Sequence, residues 1–270
     1  MRALTAADVP AAMRIKAAAG WNQTENDWRT LLEIAPETCF GLECDGTLAA
    51  TTTAVCYGTR LAWAGMVLTD PAYRRRGFAR QLLEHTLEAL SARGIAWIKL
   101  DATEFGAPLY REFGFAEESR VERWHALAAA GAVTDLTHWP AECAALDREA
   151  FGADRSALLG LLAPHGSAAI ADRGYVMARP GSAALYLGPC VSRDPETARV
   201  LLAWLLARHA VQSVYWDLLP HNTEAVRLAR AFGFSPARRL VRMIRSGVAG
   251  APPLAPHDRY TFALAGFEYG

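Results

Sequence analysis

Two stretches of this sequence end in the same tripeptide, Phe-Gly-Phe, with Gly114 and Gly233 lying 119 residues apart. A period that long in a chain of 270 residues leaves room for two copies of one domain and little else. The order of elements repeats as well. In the first half a helix runs to about Ala19 and is ended by Gly20, with Asp8 expected as its cap. A second helix follows from about Glu25 to Ala35, capped by Thr24 or Asn26. A hairpin turns at Asp45-Gly46, and Leu61 to Thr69 reads as a strand. A helix spans Ala79 to Ala92, and Ile95 to Asp101 is another strand. The second half repeats this with helices near Glu142 and Phe151, a hairpin over Ala168 to Arg179 and a strand from Ala184 to Val191. A helix from Pro195 to His209 and a strand from Ser213 to Leu219 follow. A helix then ends at Ala231, and the last strand of the copy spans Arg238 to Ile244. Strand–helix–strand units of this kind predict an α/β fold with a mixed sheet in each copy. The small-residue stretch from Ala126 to Gly131 reads as the linker. The expected units are therefore 1–128, 132–247 and a Pro-rich tail, 248–270, whose Arg259 to Phe267 could dock on a sheet edge. On this reading a fragment ending near Gly131 would keep its binding site, at a loss of stability or of turnover.

Composition narrows the function. Lys and Arg number 28, and so do Asp and Glu, so no net charge draws the chain to nucleic acid or an anionic membrane. The cysteines at 39, 44, 56, 143 and 190 are an odd set without a Cys-x-x-Cys pair. Reduced thiols in a cytoplasmic protein are the expectation, with no zinc site. The seven histidines are scattered without metal-ligand spacing, and no apolar run approaches a membrane span.

Chemistry concentrates between Leu61 and Leu90. An apolar strand leads into Arg74-Arg-Arg-Gly77-Phe-Ala79-Arg80, and an amphipathic helix leads out. The first turn of a helix presents unpaired N–H groups and partial positive charge, which together make an anion site. Gly77 and Ala79 keep bulk away from it, and the arginines add charge-assisted donors.

These residues resemble the GNAT superfamily of acyl-CoA-dependent N-acyltransferases, whose pyrophosphate loop reads Gln/Arg-x-x-Gly-x-Gly/Ala. Arg74, Gly77 and Ala79 fill that pattern. The resemblance implies that Val67, Leu68 and Thr69 hold the pantetheine arm of acetyl-CoA. It also implies that Arg74, Arg75, Arg76, Gly77, Phe78, Ala79 and Arg80 hold the pyrophosphate. Thr103 to Phe115 resembles the family's second anchor, with Tyr110 matching the tyrosine that protonates the leaving thiolate. Thr103 stands where many members have Asn. The helix–loop–helix near the start lies over the acceptor site in this family. Trp21, Asn22, Gln23 and Asp27 could therefore grip a small amine, or pack and cap. The base is open among Asp101, Glu104, Glu43 and Asp27.

The second copy resembles the C-terminal domain of two-domain GNAT proteins of the YitH type, but departs from the active pattern. Asp194 and Glu196 stand where the pyrophosphate loop should be, and Ala229 stands at the place of Tyr110. Cofactor binding is expected in the first half alone. The implied reaction is direct transfer of acetyl from acetyl-CoA, with no metal, to a primary amine of a small molecule. The alternative is a non-catalytic CoA-binding or partner-binding module. Oligomeric state is not legible.

Overall fold

The hairpin of the first half forms where expected, because Asp45 and Gly46 both take positive φ, 52° and 72°, as a tight two-residue turn requires. It joins β2 (Cys39–Cys44) to β3 (Thr47–Tyr57), and β1 (Arg2–Ala3) flanks β2. The computed structural model describes residues 1–128 and 143–270, so half of the expected linker, and the start of the helix near Glu142, lie outside the described residues, while Ala126 and Leu127 end a strand instead. The first half continues with α1 (Val9–Ala18), α2 (Glu25–Ile34), β4 (Leu61–Thr69), α3 (Phe78–Ala92), β5 (Trp97–Ala102), α4 (Ala107–Glu112) and β6 (Ala116–Leu127). The second half runs α5 (Cys143–Phe151), α6 (Ser156–Leu162), β7 (Ser167–Ala171), β8 (Gly174–Arg179), β9 (Leu185–Ser192), α7 (Pro195–Arg208), β10 (Ser213–Leu218), α8 (Thr223–Ala231), β11 (Ser235–Ser246) and β12 (Thr261–Ala263).

Thr24 caps α2, with its hydroxyl accepting from the Asp27 N–H and Asp27 closing the box from the other side. The cap before α1 bonds differently from expectation. Thr5 opens a 3-10 turn ahead of α1, and Asp8 is the acid that reaches back to the Thr5 N–H at 2.8 Å. Asp8 stands at the N-cap position of α1 as expected, but with helical backbone angles and no side-chain bond to that helix.

The two copies share one mixed sheet flanked by helices. Among the described residues its order is β1-β2-β3-β4-β5-β11-β6-β10-β9-β8-β7. The last strands of the two copies have changed places: β11 lies against β5 of the first half, and β6 lies against β10 of the second. The exchanged strands run antiparallel to each other, and Val121 pairs with Leu240, its counterpart 119 residues on. A pseudo-twofold axis therefore passes through that pair. Two buried ion pairs obey the same axis. Arg123 of β6 faces Asp217 of β10 with contacts of 2.8 and 2.7 Å, and Arg242 of β11 faces Asp101 of β5 with contacts of 2.9 and 3.0 Å. Both pairs are bidentate and hidden from solvent, so removal of one partner should cost about 3–5 kcal/mol.

Helices cover both faces. α1, α2, α5 and α6 share a core on one side that draws Trp28, Trp63, Tyr175 and Tyr269 from both halves. α3 and α4 cover the other face of the first half around Leu83, Leu100 and Met243, while α7 and α8 cover the second half around Leu201, Trp216 and Leu228. No helix among the described residues is long and apolar enough to cross a membrane.

The tail behaves differently from the expected edge strand. β12 enters the interior of the sheet beside β9, and residues 264–270 thread back between the halves. The Trp63 indole donates to the Phe267 carbonyl at 3.0 Å, the Tyr57 hydroxyl to the Tyr269 carbonyl at 2.6 Å, and Arg155 to the Gly270 carbonyl at 2.7 Å.

Candidate active site

β4 and β5 pair only from Leu61–Trp97 to Trp63–Lys99 and then part, which opens a V in the sheet. On the outer side of the V, β4 carries a bulge. Thr53 pairs with Gly65 and Thr51 with Leu68, so Met66 and Val67 together face Thr52. Met66 has φ 48°, an unfavourable conformation for a long side chain, and the Thr51 hydroxyl ties down its carbonyl at 2.8 Å. Such a bulge re-aims backbone groups toward the cleft. Val67 lines the cleft, and Leu68 and Thr69 continue the strand beyond it.

The strand leaves through a short turn, Pro71–Tyr73, to the N-terminus of α3. Gly77 is the cap residue with φ 79°, and Arg75 before it has φ 64°. Around the place a Gly77 side chain would start, the nearest atom is the Gln81 amide nitrogen at 3.9 Å. Glycine is therefore required here by its backbone angle, since the surrounding space is open. The first helical bond runs from the Gln81 N–H to the Gly77 carbonyl. The N–H groups of Phe78, Ala79 and Arg80 thus have no helical acceptor, and no side chain caps them. Arg74 donates to the Thr69 carbonyl at 3.3 Å, and Arg76 lies over the Tyr73 ring at 5.2 Å. Arg75 is exposed, and Arg80 pairs with Glu112 on the surface. The result is a cationic, uncapped helix start at the mouth of the V.

Tyr110 comes from α4 to line the same cavity, edge-on to Phe115 at 6.0 Å. It is buried, and burial raises its phenol well above the ordinary value, so it holds its proton. Thr103 spends its hydroxyl accepting from the Gly106 N–H at 3.1 Å. The space within the cavity and at its mouth, open solvent included, comes to about 660 Å³. Its walls come from both halves and the tail: Ala64 to Val67, Leu100 and Asp101 on one side, Arg123, Arg238 and Leu240 of the exchanged strands on another, and Trp21, Gln23, Phe267 and Glu268 closing it. The tail touches the bulge directly, since a side chain on Gly65 would begin 2.9 Å from the Glu268 Cα.

Of the residues expected to grip the acceptor, Trp21 and Gln23 line this cavity, while Asn22 and Asp27 are engaged elsewhere. Asn22 bolts the halves together, accepting from the N–H groups of Ala183 and Ala184 and donating to the Ala184 carbonyl. Asp27 completes the α2 cap and receives Arg179 at 2.8 Å. The four acids considered as the base fare unevenly. Both oxygens of Asp101 are taken by Arg242, Glu43 pairs with Arg2 at the surface, and Glu104 is exposed. Sequence reasoning missed Glu268, Arg238 and Arg123. Nothing local marks them, because they reach the cavity through the strand exchange and the returning tail.

The second half repeats the V and fills it. β9 and β10 pair only over Leu185–Val214 to Leu187–Trp216. β9 carries a bulge at the matching place, with Gly188 and Pro189 facing Met177. β12 lies in the opening, with Thr261 opposite Val191 and Ala263 opposite Cys190, while the Leu264 N–H bonds the Asp217 carbonyl at 2.9 Å. A side chain on Gly188 would begin 1.9 Å from the Leu264 carbonyl. Asn222, the counterpart of Thr103, caps α8 and donates to the Thr261 carbonyl at 2.9 Å. At the start of α7 the Asp194 carboxylate accepts the Thr197 N–H at 2.8 Å, so the anion site is filled by the protein's own acid. The chain thus takes, in the second half, the place that the first half leaves open.

Comparison with known proteins agrees with this architecture. Models of the acetyltransferase (GNAT) domain match residues 1–117 and 143–259. An acetyltransferase-like protein of Pyrococcus horikoshii superposes with a TM-score of 0.87 at 21% identity, covering 100% of this chain and 95% of that one. A tandem GNAT protein from the clavulanic acid biosynthesis pathway gives 0.64 at 17% identity, covering 92% and 98%. Among curated relatives, the alanine N-acetyltransferase of ribosomal protein bS18 from Escherichia coli K12 is 41% identical over 54 residues, 19% of this chain. The match spans 36% of that relative's length. With both halves matched, the chain belongs to the GNAT acetyltransferase family, with two such domains in tandem.

Proposed function

We propose that the first half transfers acetyl from acetyl-CoA directly to a primary amine of a small acceptor, and that the second half binds no cofactor. The observation that carries this is the contrast between the two V-shaped openings: one leads from an uncapped helix start past a bulge to a buried tyrosine, and the other is filled by β12. Acetyl-CoA supplies an acetyl group activated as a thioester. The N–H groups of Phe78, Ala79 and Arg80, with Arg74 and Arg75 nearby, suit its pyrophosphate. The bulged backbone from Met66 to Thr69 suits the pantetheine arm and orients the carbonyl. As the amine nitrogen bonds to the carbonyl carbon, the carbon–sulfur bond breaks. Tyr110 gives its proton to the departing sulfur, which a buried phenol can do because it is still protonated at neutral pH, and the proton that the nitrogen sheds as the amide forms restores the phenol through solvent. The walls of the cavity keep water from competing.

Calorimetric titration of the whole chain with acetyl-CoA should give a stoichiometry near one, and thiol should be released when an amine panel is added. Binding without release for any amine would favour a non-catalytic CoA-binding module. Two equivalent sites would defeat the reading of the second half.

A further inference from the structure

The closing wall of the cavity carries an unmatched set of polar groups. Glu268 is 2% exposed and Gln23 is 6% exposed, so neither is served by bulk water. The Gln23 amide nitrogen donates to Glu268 Oε2 at 2.7 Å, and Arg179 donates to Oε1 at 2.8 Å. That carboxylate fixes the amide's orientation, since turning it would set oxygen against oxygen. The amide oxygen is left buried with no hydrogen-bond donor. A buried acceptor without a donor is unfavourable and calls for an N–H from whatever enters. Across the cavity stands the opposite deficit. Arg238 is half-buried and makes no hydrogen bond or ion pair among the described residues. Its cross-strand neighbour is Arg123, whose own charge is matched by Asp217. An unpaired guanidinium beside another cation calls for an anion. Arg238 also borders an open groove formed by Thr103 to Phe105 and Pro236 to Arg239, which gives a route inward from solvent.

Building on the function proposed above, we propose that the acceptor is a free amino acid or similar small zwitterion. Glu268 and the Gln23 amide oxygen hold its ammonium, and Arg238 holds its carboxylate. The acceptor enters past Arg238, which selects for the carboxylate before the amine reaches the carboxylate-and-amide end. The acceptor's carboxylate then meets a guanidinium that has no ion pair, and its ammonium supplies the donor that the Gln23 amide oxygen lacks, beside a Glu268 already bound by Gln23 and Arg179. A peptide N-terminus offers the ammonium without a nearby carboxylate and leaves Arg238 unmatched. A simple alkylamine does the same.

The test uses the whole chain, with acetyl-CoA and three acceptor sets: the common free amino acids, their decarboxylated amines, and short peptides. Thiol release should favour at least one free amino acid over its decarboxylated amine by tenfold or more in kcat/KM. Arg238→Gln should raise the KM for that amino acid at least tenfold, and by clearly more than for its decarboxylated amine, and be partly rescued by Arg238→Lys. Amines or peptides used as well as free amino acids would overturn the proposal. So would an Arg238→Gln variant that weakens all acceptors equally. Acetyl-CoA that binds while no amino acid is turned over removes this assignment alone, whereas absence of acetyl-CoA binding removes the underlying function as well.

Discussion

The two halves share a fold, a bulge and a V-shaped opening, yet the groups at each opening have gone opposite ways. In the first half the opening stays free, the helix beyond it starts at Gly77 without a cap, and a tyrosine stands at its depth. In the second half the opening holds β12, the helix is capped by Asp194, and Ala229 stands at the tyrosine's place. What differs is satisfaction. The second half caps its helix start with Asp194 and pairs its bulged strand with β12, where the first half has neither. A binding site is kept by leaving such groups unsatisfied, and a scaffold is made by satisfying them. The second half then contributes walls, because its strand and its tail complete the cavity of the first.

The largest expected effect tests whether the halves are separable. The sequence suggested that a fragment ending near Gly131 would keep cofactor binding while losing stability or acceptor turnover. The exchange of β6 and β11 argues otherwise: a fragment ending near Gly131 loses β11 from beside β5, leaves β6 without both neighbours, and loses Arg242 from the buried Asp101. An unpaired interior strand and an uncompensated buried carboxylate are both severe faults. We expect that fragment to aggregate or stay unfolded, read by circular dichroism and size exclusion. A monomeric fragment that binds acetyl-CoA like the whole chain would show the exchange to be dispensable.

Next in size is the chemistry peculiar to the first half. Tyr110→Phe should lower kcat by roughly 100-fold, about 2.7 kcal/mol in barrier, while acetyl-CoA affinity holds. Burial raises the phenol above its ordinary value of about 10. Loss of the acid form therefore begins only above that pH, and the alkaline fall in kcat should disappear in the variant. Wild-type kcat in Tyr110→Phe would return the ring to a packing role against Phe115.

Smaller, and confined to binding, is the loop. Gly77→Glu forces a side chain onto φ 79° and puts a carboxylate at the open helix start. Acetyl-CoA affinity should fall at least tenfold, about 1.4 kcal/mol, measured by calorimetry. A folded variant with unchanged affinity would remove Gly77 from the cofactor site.

How much of this could be read in advance depends on whether the signal was local. The hairpin at Asp45-Gly46, the Thr24 cap and the strand–turn–helix around Gly77 were legible because turn chemistry and caps are written in adjacent residues. The exchange was not legible for a reason intrinsic to repeats. β6 and β11 have the same burial pattern, and β5 and β10 offer the same kind of edge, so pairing within a copy and pairing across copies satisfy the same alternation. The acceptor wall was hidden with it. Asn22 and Asp27 look like substrate ligands beside Trp21, but their partners, Ala184 and Arg179, stand more than 150 positions on. Glu268 follows a Pro-rich stretch and would pass for a solvated acid, until the tail is seen to pass beneath Gly65.

The smallest expected effect bears on the other side of the comparison, the helix start that the second half has closed. If Asp194 serves as a cap rather than as a relic of a binding loop, its removal should cost stability and leave cofactor binding alone. Its carboxylate accepts the Thr197 N–H, and Arg173 lies against it at 2.7 Å. These contacts, the backbone donor first, hold its titration below the ordinary carboxylate range. A depressed folded-state value means the stabilisation is full above the unfolded value of about 3.9 and is lost as pH falls through the folded one. Asp194→Ala should therefore lower stability by about 1 kcal/mol near neutrality, the usual worth of such a cap, in denaturant titration. Asp194→Asn keeps an acceptor for Thr197, so it should lose less than Asp194→Ala. Its difference from wild type should shrink as pH is brought below about 4. Acetyl-CoA stoichiometry should remain near one in both. A second equivalent of acetyl-CoA bound by Asp194→Ala would mean that the cap alone excluded it, and that β12 yields its place in the sheet when a ligand competes.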